Sequence, residues 1–151
     1  MTTAVITGGA SGLGRALGER CAVLGMNVGL LDLDGDRAAA EAAAIATAHG
    51  TSCAGEPIDV ADAASVEAAA AFVESRFGGA DLVVSNAGVQ LFGAVETFTD
   101  DEWRWVLDVN VIGSARVARA FTPLLRRAER GWLAFTTSSS ILDPASRLGA
   151  Y

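Results

Sequence analysis

Short apolar runs alternate with longer stretches whose apolar positions recur every three or four residues, from the amino end to about residue 135. Strands joined by crossover helices in a parallel sheet produce this pattern. Ala4-Val5-Ile6-Thr7 predicts a first strand, broken by Gly8-Gly9. Leu13, Ala16, Leu17 and Leu24 predict a helix over 12–24, interleaved with Arg15, Glu19 and Arg20 and closed by Gly25. A second strand is predicted from Asn27 to Leu31, ending at Asp32. An Ala-rich helix over 37–48 follows, with Asp34 and Asp36 at its positive end and Gly50 past its other end. The third strand, over 51–58, is interrupted by Gly55 and Pro57. Asp62 caps a helix running to Phe77, and Leu82-Val83-Val84 has the unbroken apolar character of a strand buried on both faces. Thr99 and Glu102 have capping-box spacing ahead of Trp103 and Val106, and a long helix then runs to about Arg127. Trp132 to Phe135 predicts a fifth strand leading into Thr136, Thr137 and three serines. Right-handed crossovers give the strand order 3-2-1-4-5, a doubly wound α/β fold. With no linker, repeat or charge block to divide it, the chain is expected to form one domain over residues 1–151.

Composition narrows the function classes. The chain has 151 residues, 51% of them apolar, which fits a packed domain and not a disordered segment. Its net charge of −7 excludes a surface built to hold phosphate backbones. All 11 cationic side chains are Arg, so no Lys is available for catalysis within these residues. Arg116, Arg119, Arg126, Arg127 and Arg130 form a basic cluster, the last three near a helix carboxyl end, without interleaved aromatics. They read as a solvated face or subunit contact, and no nucleic-acid partner is expected. Cys21 and Cys53 lack metal-ligand or redox spacing, and His49 is the only imidazole, so no metal site is expected. No secretion signal stands at the amino end, and no apolar run approaches the roughly 18 residues of a membrane span. The expectation is a soluble, cytoplasmic protein with reduced cysteines and no membrane partner.

Thr7-Gly8-Gly9-Ala10-Ser11-Gly12-Leu13-Gly14 carries the strongest chemical signal, because it lies between a strand and a helix. Glycines at 8, 12 and 14 permit a tight turn, close approach of a pyrophosphate and tight helix-to-strand packing. The helix amino end, with Ser11, Gly12 and Leu13, offers free N–H groups to an anion. The spacing G-x-x-x-G-x-G differs from the commonest dinucleotide fingerprint, and a purely structural turn would also account for it. Asp32 follows Gly14 by 18 positions, at the end of the second strand. A carboxylate there accepts hydrogen bonds from ribose hydroxyls and repels a 2′-phosphate, or else caps the next helix. The sheet is therefore read as Rossmann-type, binding a dinucleotide at the carboxyl ends of its strands.

From about residue 4 to 151 the chain resembles the amino-terminal portion of a short-chain dehydrogenase/reductase. Besides the glycine turn, Asp59-Val60 ends the third strand, where family members contact adenine, and Asn86-Ala87-Gly88 matches the family's Asn-Asn-Ala-Gly motif with Ser85 in first place. Asn110 lies on the following long helix, and Ser138 and Tyr151 are 13 positions apart with Pro144 between them, as in the family. Each has a plain alternative: Asn86 as a cap for sheet backbone groups, Ser138 as one of three turn serines, Tyr151 as a packing aromatic.

The resemblance implies hydride transfer between NAD(H) and a small alcohol or ketone, with NADP disfavoured by Asp32. It assigns Tyr151 as acid/base, Ser138 as the partner of the substrate oxygen, and Asn110 as the holder of a relay water through its backbone. A free phenol has a pKa of about 10, and the family lowers it with a Lys four positions beyond the Tyr. That Lys and the family's later strands are absent from these residues, so the chain reads as part of a longer enzyme and is expected to be inactive alone. A non-catalytic nucleotide-binding or interaction module is the alternative. The complete protein is expected to form a homodimer or homotetramer, with Val117, Ala118 and Phe121 contributing apolar surface.

Overall fold

The computed structural model describes residues 2–142. Five parallel strands form one sheet in the order β3-β2-β1-β4-β5, as predicted: β1 Thr3–Thr7, β2 Asn27–Asp32, β3 Cys53–Pro57, β4 Leu82–Ser85 and β5 Trp132–Phe135. Helices α1 (Gly12–Val23), α2 (Gly35–His49) and α3 (Ala63–Phe77) make the first crossovers. Between β4 and β5 lie α4 (Asp100–Leu107), a π-helical segment (Asp108–Gly113) and α5 (Ser114–Leu125) in direct succession. The expected long helix is therefore interrupted by the wide turn that carries Asn110.

Alternation within the strands builds the two sides of the core. In the central strand β1, Ala4 and Ile6 join Val28, Leu30, Ala38 and Ile45 beneath α1 and α2. Val5 points the other way, to Leu31, Val73, Val83, Val117 and Phe121 beneath α3 and α5. Val117 and Phe121 are fully buried, so these two residues assigned to subunit assembly are interior packing, while Ala118 is half-buried. Truncating Phe121 to Ala would cost about 3–5 kcal/mol.

The breakers predicted to weaken β3 are explained by its place in the sheet. It is an edge strand pairing only with β2, so Pro57, opposite Asp32, removes no central ladder bond. At Gly55 a Cβ would overlap the carbonyl of Ala38, so the glycine is what lets the Ala-rich α2 lie on the strand backbone. The strand stops at Pro57, two residues short of Asp59, which lies in the loop beyond it.

Arg116 leaves the expected solvated cluster, whereas Arg127 stays exposed in a surface ion pair. Arg116 donates to the carboxylate of Asp108 at 2.8 Å and to the Val60 carbonyl at 3.3 Å, and Arg127 pairs with Glu74 at 2.7 Å. Cys21 is buried and Cys53 half-buried, both as free thiols. Among the described residues no cluster of His, Cys, Asp or Glu could hold a metal, and no helix is long and apolar enough to cross a membrane.

Candidate active site

The glycine turn leaves β1 with Gly8 at φ +64° and reaches α1 through Gly12 at φ +51°, both in the left-handed region that favours glycine. Ser11 stands at the N-cap of α1 in an extended conformation, and its side chain caps nothing. No acidic residue occupies the first turn, and the first helical bond is from Arg15 N–H to the Ser11 carbonyl. By contrast, Asp34, Asp62 and Thr99 cap α2, α3 and α4 with their side chains. The amino end of α1 thus keeps free N–H groups and partial positive charge, as an anion site requires. Gly14 allows the helix to approach: a Cβ there would overlap the Gly8 carbonyl and stand 2.7 Å from Asn86 Nδ2. At Gly12 a Cβ would meet nothing within 4 Å. Gly12 therefore borders open space at the mouth of the turn.

Asp32 is held by the turn beside it. Its carboxylate accepts from Ala10 N–H at 2.9 Å and Asp34 N–H at 3.2 Å. The cap of α2 is Asp34, which accepts from Arg37 N–H at 3.0 Å. The capping alternative for Asp32 is thereby removed, and its carboxylate is oriented while retaining lone pairs for a ligand. Asp59 accepts from Ala61 N–H at 2.8 Å, which fixes the loop after β3. Val60 is buried against the end of the π-helical segment, where Gly113 has no Cβ to separate them.

Asn86 fastens the turn to the sheet. Its Nδ2 donates to the carbonyls of Thr7 (3.0 Å) and Gly8 (3.4 Å), while its Oδ1 accepts from Thr136 Oγ1 (2.9 Å). The buried hydroxyl of Thr7 accepts from the N–H groups of Asn86 and Ala87 at 2.9 and 3.0 Å. The capping role foreseen for Asn86 is present, and the residue also lines the cleft.

One cavity of about 520 Å³ gathers Gly8, Ser11, Gly12, Leu13, Gly14, Asp32, Asp59, Val60, Asn86, Ala87 and Gly88. These are all eleven residues assigned to the cofactor from the sequence. Leu33, Trp105 and Val109, which sequence reasoning passed over, share its wall. A second cavity of about 530 Å³ lies across Asn86–Val89 and takes in Asn110, Ser114, Thr136 and Ser138.

Asn110 uses its side chain structurally. Its Oδ1 accepts from Val89 N–H at 2.8 Å and its Nδ2 donates to the Val89 carbonyl at 2.9 Å, clamping the segment after β4. Its main-chain carbonyl accepts from Ser114 Oγ at 2.8 Å and, being sp², keeps a second acceptor direction. Ser85, where the motif has Asn, donates to Ser114 Oγ at 3.3 Å. Ser138 caps a short 3₁₀ turn, Ser139–Ile141, accepting from Ser140 N–H at 3.1 Å and pairing with Ser140 Oγ at 3.0 Å. Tyr151 and Pro144 lie outside the described residues.

Comparison with known proteins agrees with this geometry. The family model for short chain dehydrogenases matches residues 2–151. D-beta-hydroxybutyrate dehydrogenase of Cupriavidus necator is 29% identical over 149 residues, which are 99% of this chain and 57% of that protein. Alcohol dehydrogenase from the archaeon Thermococcus sibiricus, solved with 5-hydroxy-NADP, superposes with a TM-score of 0.94 at 32% identity, over 100% of this chain and 64% of that one. A short chain dehydrogenase/reductase from Burkholderia phymatum in complex with NAD gives 0.93 at 36% identity, over 99% and 53%. The chain therefore spans little more than half the length of these relatives. On sequence and fold alike, it belongs to the short chain dehydrogenase family.

Proposed function

We propose that the full-length protein is an NAD(H)-dependent oxidoreductase that interconverts a small alcohol and its carbonyl compound. The observation that carries this reading is the single cavity in which an uncapped helix amino end, an oriented acidic side chain and the Asn86–Gly88 wall converge. When bound, the nicotinamide ring supplies the hydride donor and acceptor. The α1 N–H groups hold the diphosphate, and Asp32 accepts the ribose hydroxyls. Ser138 holds the substrate oxygen, Tyr151 passes a proton to or from it, and the free acceptor direction of the Asn110 carbonyl holds a relay water. Residues 1–151, which contain no Lys to lower the Tyr151 pKa, are expected to bind nucleotide without turning over. The full-length protein is further proposed to be a cytoplasmic homo-oligomer, an idea supported by Leu107 and Ile112, exposed along the α4–α5 rod.

Asp32 supports NAD over NADP. A 2′-phosphate charge about 5 Å from this carboxylate, at an effective dielectric near 20, is disfavoured by about 3 kcal/mol, roughly a hundredfold in affinity. Calorimetric titration of both cofactors into the full-length protein and its Asp32→Ala variant tests this, with NADH absorbance followed over a panel of secondary alcohols and ketones. Preference for NAD in the wild type, narrowed about tenfold or more by the substitution, is expected. Equal affinity of the wild type for both cofactors refutes the electrostatic argument.

A further inference from the structure

Three large apolar side chains that do not enter the core stand on the nucleotide cavity: Leu13 in the glycine turn, and, away from that turn, Leu33, 76% exposed and adjacent to Asp32, and Trp105, 46% exposed on α4. Trp103, two residues earlier, meets the Phe98 ring edge-to-face at 6.3 Å. Trp105 has no such aromatic partner among the described residues. The helical rod fixes its position. Val109, one turn later, is buried and shares the cavity wall, and at Gly113 a Cβ would stand 2.9 Å from Val60 Cγ2. Arg116 adds its bond to the Val60 carbonyl. The rod is therefore pinned against the loop after β3, and Trp105 joins Leu33, Ile58 and Val60 as the apolar part of a cavity whose other end is the glycine turn.

We propose that Trp105 is an adenine-binding residue, its indole forming a stacking wall of the base slot beside Leu33. The proposal rests on the nucleotide reading of the cavity. With the ribose hydroxyls on Asp32, the base attached to that ribose lies next to Leu33 and away from the uncapped end of α1. A purine there needs flat apolar surface for its faces, and a half-exposed indole supplies it. Stacking of a base on an aromatic side chain is sequence-tolerant, and its loss weakens binding by about tenfold or more. The slot thus grips the base by its faces, whereas Asp32 grips the sugar by its edge.

The full-length protein carrying Trp103→Phe and Trp132→Phe retains Trp105 as the sole tryptophan of residues 1–151, and its emission is followed during titration. ADP-ribose carries the adenine without the nicotinamide, and reduced nicotinamide mononucleotide carries the nicotinamide without the adenine. ADP-ribose is expected to quench Trp105 emission saturably. By calorimetry, Trp105→Ala should weaken ADP-ribose binding about tenfold, Trp105→Phe should restore it to within about threefold, and the mononucleotide should bind all forms equally. Because the side chain is half-exposed, thermal unfolding of both variants should match the parent within about 2 °C. Unchanged emission on saturation, or an alanine variant that binds ADP-ribose like the parent, overturns the proposal. An equal loss of affinity for the mononucleotide overturns it too, since the effect would then be a general distortion. A parent protein that binds neither ADP-ribose nor NADH overturns the nucleotide reading itself, and this inference with it.

Discussion

Gly14 and Gly12 lie two residues apart in one turn, yet substituting each by alanine should damage different properties. At Gly14 a Cβ would overlap the Gly8 carbonyl oxygen and stand 2.8 Å from the Gly8 carbonyl carbon, where real Cβ atoms essentially never approach within 3.0 Å. The obstacle is backbone, so the turn itself must move. Moving it strains or breaks the Ala10–Asp32 and Asn86–Gly8 hydrogen bonds, at about 1 kcal/mol each. Overpacking adds about 1–3 kcal/mol, bringing Gly14→Ala to about 3–5 kcal/mol. For a domain of this size that lowers the melting temperature by about 10 °C. Gly12→Ala meets no atom within 4 Å and bears only the cost of its φ of +51°, about 1–2 kcal/mol. Gly12 also lines the proposed nucleotide cavity, however, so its added methyl group should lower nucleotide affinity about tenfold or more while the protein melts only a few degrees early. Differential scanning fluorimetry and calorimetric NADH titration of the two full-length variants separate these effects. A Gly14→Ala protein melting within about 2 °C of wild type, or a Gly12→Ala protein binding NADH normally, refutes the geometry.

Three further outcomes follow from local contacts. Asn110→Leu removes both bonds to Val89 and should cost about 2–3 kcal/mol, with hydrogen exchange at the Val89 amide accelerating while β1 stays protected; an unchanged Val89 rate contradicts the clamp. Burial pushes the Cys21 thiol up, so the folded state keeps a proton that the unfolded chain loses, and stability should decline as pH rises above about 9. Cys21→Ala should flatten that decline, and an unaltered slope in urea titrations counts against it. Hydrogen bonds from the Thr99 backbone and hydroxyl hold Glu102 below the usual carboxylate range. The capping box therefore stabilises α4 above the ordinary carboxylate pKa and is lost as pH falls through the lowered one; Glu102→Gln should remove this part of the acid dependence, which circular dichroism would register.

Apolar runs made the strands legible because a parallel sheet covered on both faces needs side chains of one kind on each side. β5 follows its run residue for residue, and β1 and β4 differ from theirs by one residue at one end. β3 was harder, since Gly55 and Pro57 look like breakers until α2 and the edge position are known. That the eleven residues proposed for the cofactor line one cavity was legible because they lie in short segments at the ends of β1 to β4. Trp105 was not, because an aromatic on an amphipathic helix is ordinarily core, and only the path of α4 turns this one toward the cleft. Val117 and Phe121 failed in the opposite sense. Periodicity marks a helix face as apolar without saying whether α3 or another subunit will cover it. Arg116 looked like one more surface charge, and its bond to the Val60 carbonyl joins positions 56 residues apart, which no local pattern records.

Asn86, Ala87, Gly88 and Val89 form a party wall between the two cavities, one surface facing the glycine turn and the other facing Asn110 and Ser138. Asn86 also knots β1 to β5 through Thr7 and Thr136. Any change in this wall is felt on both sides at once, so, on the proposed function, selection for a new substrate cannot act here without disturbing the proposed dinucleotide site. Evolutionary freedom is therefore pushed to the far side of the second cavity, where Gln90, Val111, Thr137 and Ser140 line the space without touching the first. Divergence among descendants of this chain, natural or engineered, should accumulate at those positions while the wall stays still.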